Sequence, residues 1–340
     1  MAKPKIAALK KGENAPRAAL ESPQIRVLVS ALGARLCEVY LKDPEDGNET
    51  SIAVNLADDA AYLDQDSYIG AVCGRYANRI EAARFPDQNG KMVQLAANEG
   101  ETHLHGGPDG FDRRVWTISD QTDRSVTFEL TSPDGDQGYP GTMTAQATYS
   151  LVADDRIRLE ITATCDQPCP VNMTSHAYWN LRGKFDQSAA DHVLQINADQ
   201  WLPVDDKLIP DGPAQNVAGT GYNFQKPAKI SANLPNAKQG YDHNFCLTGA
   251  RGDLRQIATL SAPDSNRSIK LFSTEAGLQF YLSQHFNEAM KTENGVSLHP
   301  SGGIALEPQT YPNSPNREDF PSPWLKPGET YRHVIEWEFS

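Results

Sequence analysis

The chain has 340 residues, of which 39% are hydrophobic and 22% are charged, proportions that suit a globular protein with a large core. Asp and Glu outnumber Lys and Arg by 44 to 31, and a net charge of −13 repels phosphate backbones and anionic lipids, so we expect no nucleic acid and no membrane as partners. No apolar run is long enough to span a bilayer, and the basic N-terminus lacks the apolar stretch of a secretory signal.

Alternation of apolar and polar residues with a period of two is the main pattern in the chain. It predicts strands, in which successive side chains point to opposite faces of a sheet. In chain order the clearest examples are residues 25–29, 126–130, 157–161 and 331–339. Turn-forming Gly, Pro and Asp residues separate the strands, most densely at residues 132–141. Helical patterns are scarce, and we expect one short turn within residues 55–62.

Many short strands with Gly/Pro turns predict an all-β fold, a large sandwich or barrel. No internal repeat or mid-chain linker divides the sequence, so we expect one domain over residues 21–340 after a mobile basic tail over residues 1–20. The five cysteines are few and odd in number, which favours a reducing compartment and predicts a cytoplasmic protein. Cys165 and Cys169 form a CxxxC spacing with no second pair, which does not match a structural zinc site.

Two early segments carry candidate binding residues. In GRYANRI, Arg79 follows Asn78 and could present a fork of donors to hydroxyl oxygens. In THLHGG, His103 and His105 would share one face of a strand, from which both could bind a metal. A structural role and a functional role are equally compatible with this second segment.

Four later segments add further candidates. His176 stands close to Tyr178 among apolar residues, as either a core group or part of an aromatic platform for a sugar. Asp242 lies between aromatic residues, where a turn residue is the common alternative. Gln279 alternates with apolar neighbours. Burying its amide there would cost desolvation free energy unless that face of the strand lines a water-filled cavity. Glu307 closes an apolar strand, so its carboxylate must be paired, protonated or functional.

In their order and over nearly the whole chain, these segments resemble the aldose 1-epimerase (galactose mutarotase) family. The matching blocks, in chain order, are GRYANRI, HLHGG, SPDGDQGYPG, PVNMTSHAYWNL, WLPVDDKLIPDG, YDHNF, GLQFY and ALEPQTYPNSPN with PGETYRH. The resemblance implies a β-supersandwich of mostly antiparallel strands, galactose mutarotase-like, which agrees with the strand pattern read independently.

The resemblance also implies an activity, the interconversion of the α and β anomers of a free aldose without a cofactor or metal. It makes Glu307 the base on the C1 hydroxyl and His176 the acid to the ring oxygen. We expect the apolar strand to raise the pKa of Glu307, and His176 to hold its proton near neutral pH. The expected partner is a small-molecule aldose, bound by a monomer or homodimer. The residues matched to sugar binding are Asn78, Arg79, His105, Tyr178, Asp242 and Gln279.

Three other functions are also considered. A phosphosugar epimerase of the same fold would need basic residues gathered around the phosphate. A metal-dependent isomerase of the cupin type is suggested by His103 and His105 with Asp109 nearby. A catalytically inactive sugar-binding module would have no need of both Glu307 and His176.

Overall fold

The computed structural model of the protein describes residues 14–43 and 47–340. Within these ranges the chain consists mostly of short strands. In chain order they are β1 (Arg17–Glu21), β2 (Ile25–Ser30), β3 (Arg35–Lys42), β4 (Glu49–Ser51), β5 (Val72–Cys73), β6 (Arg79–Ile80), β7 (Arg84–Pro86), β8 (Met92–Gln94), β9 (His103–Leu104), β10 (Thr117–Gln121), β11 (Ser125–Ser132), β12 (Met143–Ala153), β13 (Arg156–Cys165), β14 (Cys169–Pro170), β15 (Thr174–Ser175), β16 (Tyr178–Trp179), β17 (Val193–Ile196), β18 (Ala198–Trp201), β19 (Gln215–Asn216), β20 (Ala228–Lys229), β21 (Asp242–Leu247), β22 (Arg255–Ser261), β23 (Ser268–Ser273), β24 (Gly277–Tyr281), β25 (Ile304–Gln309), β26 (Trp324–Leu325) and β27 (Tyr331–Phe339).

Three large sheets organise the described residues. The largest has nine strands in the order β10-β11-β12-β13-β27-β23-β22-β17-β20, and the second has six in the order β16-β25-β24-β21-β18-β19. The third contains β1 to β4 in sequence, and four two-stranded ribbons complete the set. All pairings between these strands are antiparallel, so the prediction of an all-β fold of mostly antiparallel strands is confirmed.

Strand β13 illustrates why the alternation predicted the strands correctly. Its residues Ile157 and Leu159 are buried, and Leu159 lies opposite Ile335 of β27. Because a shift of one residue would turn the whole apolar set to the other face, burial on one side fixes the register. Most buried apolar side chains form one continuous core that extends from Ala15 to Phe339, and Tyr68, Cys73 and Ala77 form a small separate cluster.

The predicted boundary between tail and domain differs from the structure. Residues 1–13 lie outside the described residues. The end of the predicted tail, however, forms strand β1, which pairs with β2 along its whole length. Ala18 and Leu20 are buried there, and Arg17 contacts Asp59 with 3.1 Å between Nη2 and Oδ1. Residues before position 21 therefore belong to the folded domain, because these two apolar side chains contribute to the core.

The helices of the described residues are short. The turn expected within residues 55–62 corresponds to α1 (Asp59–Leu63), which is displaced toward the C-terminus because Asp58 acts as its N-cap. Oδ1 of Asp58 accepts a hydrogen bond from the backbone N of Ala61 at 2.8 Å. The other α-helix, α2, comprises Ile230–Asn233. Single 3-10 turns occur at Glu81–Ala83, Phe111–Arg113, Asp136–Gly138, Leu234–Asn236 and Ser314–Asn316. Neither described range contains a helix long and apolar enough to cross a membrane.

Candidate active site

A cavity of about 900 Å³ lies between the six-stranded sheet and the loops that precede β6 and follow β9. This volume is typical of a small-molecule site. Gln279 is absent from the residues that line it and lies directly behind the wall, where its Nε2 donates to Oδ1 of Asp242 at 2.6 Å. The other residues predicted to act on a sugar all line the cavity: Asn78, Arg79, His105, His176, Tyr178, Asp242 and Glu307.

Strand β25 carries Glu307 to the cavity from within the six-stranded sheet, where it lies opposite Gln279 of β24. Its side chain is buried, and Oε2 has no hydrogen-bond partner among the described residues. Burial raises the pKa of Glu307 well above its ordinary range, the charge of Asp242 adds to the rise, and Arg79 opposes it. The upward shift expected from the apolar strand is confirmed.

His176 follows the ribbon of β15 and β5 and is fixed on both sides of its backbone. Its N donates to the carbonyl of Ala71 at 2.8 Å, and its own carbonyl accepts from the N of Gly70 at 2.9 Å. The ring is buried, with Nε2 3.5 Å from Oε1 of Glu307. Burial lowers the pKa of His176 to about 4. The expectation that His176 holds its proton near neutral pH was therefore wrong for the free protein, because a buried imidazolium lacks its hydration.

Burial therefore acts on Glu307 and His176 in opposite directions, and both shifts favour the uncharged form. Between the lowered pKa of His176 and the raised pKa of Glu307 the two groups together hold one proton, and both shifts place it on Glu307 in the free protein. Transfer of that proton to His176 would create a carboxylate and an imidazolium without changing the net charge of the pair. Such a pair can remove a proton from one oxygen and deliver a proton to another nearby oxygen.

His105 enters the cavity beside this pair as a hydrogen-bond donor. Its Nδ1 accepts from the backbone N of Asn78 at 3.2 Å, so Nε2 carries the ring proton. Both residues have a left-handed backbone, with φ of 67° at Asn78 and 49° at His105. The next residue must be glycine, because a Cβ on Gly106 would lie 1.8 Å from the carbonyl oxygen of Gly74.

Arg79 is held at the cavity wall by two carboxylates. Its Nε and Nη2 donate to the two carboxylate oxygens of Glu99 at 2.7 and 2.9 Å, a bidentate pair. Its Nη1 lies 3.4 Å from Oδ2 of Asp242, whose other oxygen accepts from Gln279. Arg79 lines the cavity, so this network presents a fixed guanidinium there.

Two tyrosines pack against the histidines. The ring of Tyr68 lies 4.5 Å from that of His105 and 5.9 Å from that of His176, centroid to centroid. Tyr178 lies 4.9 Å from His176 on the same measure, and its hydroxyl donates to the carbonyl of Ser67 at 3.1 Å. Tyr68 and Glu99 were not predicted from the sequence. Tyr68 precedes an apolar run like any core tyrosine, and Glu99 stands in a polar turn, so only the tertiary structure reveals their roles.

His103 serves a different purpose from His105. Its Nδ1 contacts the carbonyl of Ala96 at 2.6 Å, and its Nε2 contacts the hydroxyl of Tyr139 at 2.7 Å, so both ring nitrogens are occupied. Strand β9 ends before His105, whose left-handed backbone turns its side chain away from the face predicted to hold a metal. Asp109 contacts Arg114 instead. The structure does not bring together the metal site suggested for a cupin-type isomerase.

A different set of possible ligands does occur in the cavity. Ligand atoms of His105, His176 and Glu307 lie within 4.8 Å of one another, the one such group in the described ranges. A metal-bound histidine normally donates its second ring N–H to an acceptor. Nδ1 of His105 faces the N–H of Asn78, a donor, so Nε2 keeps its proton and has no lone pair for a cation. The set fits hydrogen bonding to a substrate rather than metal binding.

Comparison with known proteins agrees with these observations. The family model described as aldose 1-epimerase matches residues 16–338. The aldose 1-epimerase of Escherichia coli K12 is 41% identical over 303 residues, 86% of either chain. The human galactose mutarotase is 36% identical over 322 residues, 94% of this chain and 93% of its own. An aldose epimerase homologue from C. elegans superposes with a TM-score of 0.87 at 26% identity, over 96% of this chain and 99% of that chain.

Fold, site and relatives together define an enzyme, an epimerase that acts on carbohydrates. The chain belongs to the aldose 1-epimerase family. The galactose 1-epimerase of Lactobacillus acidophilus, with a TM-score of 0.83 at 28% identity over 99% of this chain and 97% of that one, has the same architecture. The galactose mutarotase-like β-supersandwich implied by the sequence blocks is thus confirmed.

Proposed function

We propose that this enzyme is a mutarotase for a free aldose and that Glu307 and His176 are its catalytic base and acid. The observation that carries the proposal is the distance of 3.5 Å between Nε2 of His176 and Oε1 of Glu307, both of which are buried and line the cavity. The C1 hydroxyl and the ring oxygen O5 of an aldose are bonded to the same carbon. An acid and a base that act on them at once must therefore lie close together.

In the proposed reaction, the Glu307 carboxylate removes the proton of the C1 hydroxyl while the His176 imidazolium protonates O5. The C1–O5 bond breaks and leaves an open-chain aldehyde. Rotation about C1–C2 presents the other face of the aldehyde, and reversal of both proton transfers closes the ring as the other anomer. The pair starts with its proton on His176 and holds it on Glu307 after opening, so protons balance at each stage.

The fixed donors around the pair would stabilise charge that develops on the sugar oxygens. Nε2 of His105 carries a proton because Nδ1 is an acceptor, and Arg79 is held by Glu99 and Asp242 before any substrate arrives. Donors that are already oriented cost no reorganisation during the reaction, and they act more strongly where water is excluded. We assign sugar binding to these groups, to Asn78 and Tyr178, and to Gln279 acting through Asp242.

The charges around the cavity support a neutral sugar over a phosphosugar. The cations are Arg79, which is paired with two carboxylates, Arg113, which lies 3.6 Å from Asp66, and Lys291. They are outnumbered by carboxylates that would repel a phosphate. These carboxylates of the lining are Asp64, Asp66, Glu99 and Asp242, since Glu307 holds the shared proton in the free protein.

Polarimetry of freshly dissolved α-aldoses tests the proposal. Glu307→Gln keeps the shape of the side chain but removes the base, so we expect kcat to fall about 10²–10⁴-fold while sugar binding persists. His176→Asn should also slow turnover strongly. Binding of an anomeric mixture, measured by calorimetry, is the control for an intact site. A Glu307→Gln variant that keeps more than about a tenth of the wild-type rate would exclude Glu307 as the base.

We also propose that the chain forms one domain and works in the cytoplasm as a monomer or homodimer, with an aldose as its partner. The continuous core from Ala15 to Phe339 supports a single domain. All five cysteines are free thiols, as is usual in a reducing compartment.

A further inference from the structure

A pair of thiols lies outside the catalytic cavity, at the junction of two strands. Cys165 is the last residue of β13, and Cys169 is the first residue of β14. The two thiols share one set of neighbours: Sγ of Cys165 donates to the carbonyl oxygen of Pro140 at 3.7 Å, the same oxygen accepts from Nη1 of Arg75 at 3.1 Å, and that Nη1 contacts Sγ of Cys169. The three residues between them are exposed, so the pair lies directly beneath the surface.

Arg75 places a buried positive charge beside the two thiols. Its Nη1 donates to the carbonyl oxygen of Gly141 at 2.9 Å and lies 3.8 Å from Sγ of Cys169. Its Nη2 donates to the carbonyl oxygens of Ser132 and Pro133 at 2.8 and 2.9 Å. Carbonyl oxygens orient the guanidinium without neutralising it, and the nearby carboxylate of Asp136 is itself paired with Arg114, so part of the Arg75 charge remains available to stabilise a thiolate.

The two thiols differ in a way that suits sequential roles. Interaction with the neighbouring Cys169 thiol, followed by smaller contributions that include the charge of Arg75, lowers the pKa of Cys165 to about 6 although its side chain is buried. Burial instead raises the pKa of Cys169 well above its ordinary range. The more acidic thiol also adjoins the exposed Asp166 to Pro168 segment.

We propose that Cys165 and Cys169 form a modification site, at which a low-molecular-weight disulfide such as oxidised glutathione closes a reversible intramolecular disulfide. The Cys165 thiolate attacks one sulfur of oxidised glutathione, which forms a mixed disulfide and releases one glutathione thiolate. Cys169 then loses its proton and attacks the Cys165 sulfur, which releases the second glutathione. The two cysteines are oxidised, and one glutathione disulfide is reduced to two thiols.

The other cysteines of the chain lack these features. Cys37 and Cys73 are fully buried, and burial raises the pKa of both thiols. Cys246 is half-buried, and burial raises its pKa as well. Cys246 is more exposed than Cys165 but less acidic, so it serves as a matched control that separates exposure from reactivity.

Incubation of the full chain with oxidised glutathione, alkylation of free thiols and tryptic digestion test the proposal. Cleavage after Arg158 and Arg182 gives one peptide, residues 159–182, that contains both cysteines of the pair and no other. We expect this peptide to be two hydrogen atoms lighter and resistant to alkylation until a reductant is added. In Cys169→Ser, Cys165 should retain a glutathione adduct. In Cys246→Ser, closure should be unchanged.

Reactivity of the wild-type chain gives a test that does not depend on how the variants fold. Iodoacetamide at about neutral pH should alkylate Cys165 at least about tenfold faster than Cys246, because a thiol with a low pKa is mostly ionised there. The proposal is overturned if both cysteines of peptide 159–182 remain open to alkylation after oxidation. Faster alkylation of Cys246 than of Cys165, or a glutathione adduct on Cys169 in Cys165→Ser, would also overturn it.

Discussion

The pH dependence of turnover tests whether Glu307 and His176 share one proton. Burial places the pKa of His176 at about 4 and raises that of Glu307 well above its ordinary range. The pair therefore holds two protons only in acid and none only above the raised pKa of Glu307. Between these limits it holds one, the number that the proposed reaction needs. A plot of kcat/KM against pH should be a bell whose acid limb follows the pKa of His176 and whose alkaline limb follows the raised pKa of Glu307.

The pKa that sets the acid limb determines how much kcat/KM changes between about pH 7 and about pH 5. With a pKa of about 4, about nine-tenths of the pair holds a single proton at about pH 5, so kcat/KM there should be within about twofold of its value at about pH 7. An acid limb set instead by a group with a pKa of about 6.5, the ordinary value of histidine, would reduce kcat/KM about 25-fold over the same interval.

The assay is polarimetry at a sugar concentration far below KM, with the spontaneous rate subtracted at every pH because mutarotation is itself catalysed by acid and base. Circular dichroism at each pH establishes that the protein remains folded. The residual activity of Glu307→Gln should lack the alkaline limb, and that of His176→Asn should lack the acid limb. A folded enzyme that loses more than about tenfold between pH 7 and pH 5 would refute the shared proton, as would a Glu307→Gln profile with the wild-type alkaline limb.

Three further predictions concern groups around the pair. Tyr68→Leu should reduce kcat/KM about tenfold and move the acid limb to higher pH, because water gains access to His176, whereas Tyr68→Phe keeps the ring contacts and should stay within about threefold of the wild type. Equal losses in both variants would show that the ring contacts are not the cause. Glu99→Gln should raise KM about tenfold with a smaller effect on kcat, since it loosens Arg79 without touching the acid or base; steady-state kinetics that show a loss in kcat alone would contradict this role. Dialysis against EDTA should leave the rate unchanged, and recovery of a lost rate by an added divalent ion would contradict the orientation of His105.

The sequence predicted the strands well because burial on one face of a sheet leaves a local pattern. In β13 and β27 the alternation is readable residue by residue. The start of β1 was missed because Ala18 and Leu20 are only two apolar positions after a basic, Ala-rich stretch. Two alternating apolar residues are too few to distinguish a strand from an unstructured tail, and only the pairing of β1 with β2 identifies the strand.

The candidate site could be predicted only in part, for a similar reason. Glu307 could be predicted as a site residue from the sequence, because burying a carboxylate at the end of an apolar strand costs desolvation free energy. Tyr68 and Glu99 have no such local signal, and their importance depends on contacts with His176 and Arg79. The direction of the pKa shift of His176 could not be predicted from the sequence either, because the shift depends on the complete burial of the ring and not on the types of the neighbouring residues.

The proposed chemistry explains why an acid and a base can both be buried, because no proton has to be exchanged with the solvent during a catalytic cycle. Ring opening takes one proton from the C1 hydroxyl and gives one to O5, and ring closure reverses both transfers, so a pair that holds a single proton is restored in each cycle. Glu307 and His176 can therefore remain 1% and 4% exposed throughout turnover. Burial keeps the free pair uncharged, and a bound sugar must stabilise its charged form through groups already in place, namely Nε2 of His105 and Arg79. A sugar that does not accept hydrogen bonds from His105 and Arg79 stabilises the charged form of the pair less. The same donors therefore also contribute to the choice of substrate.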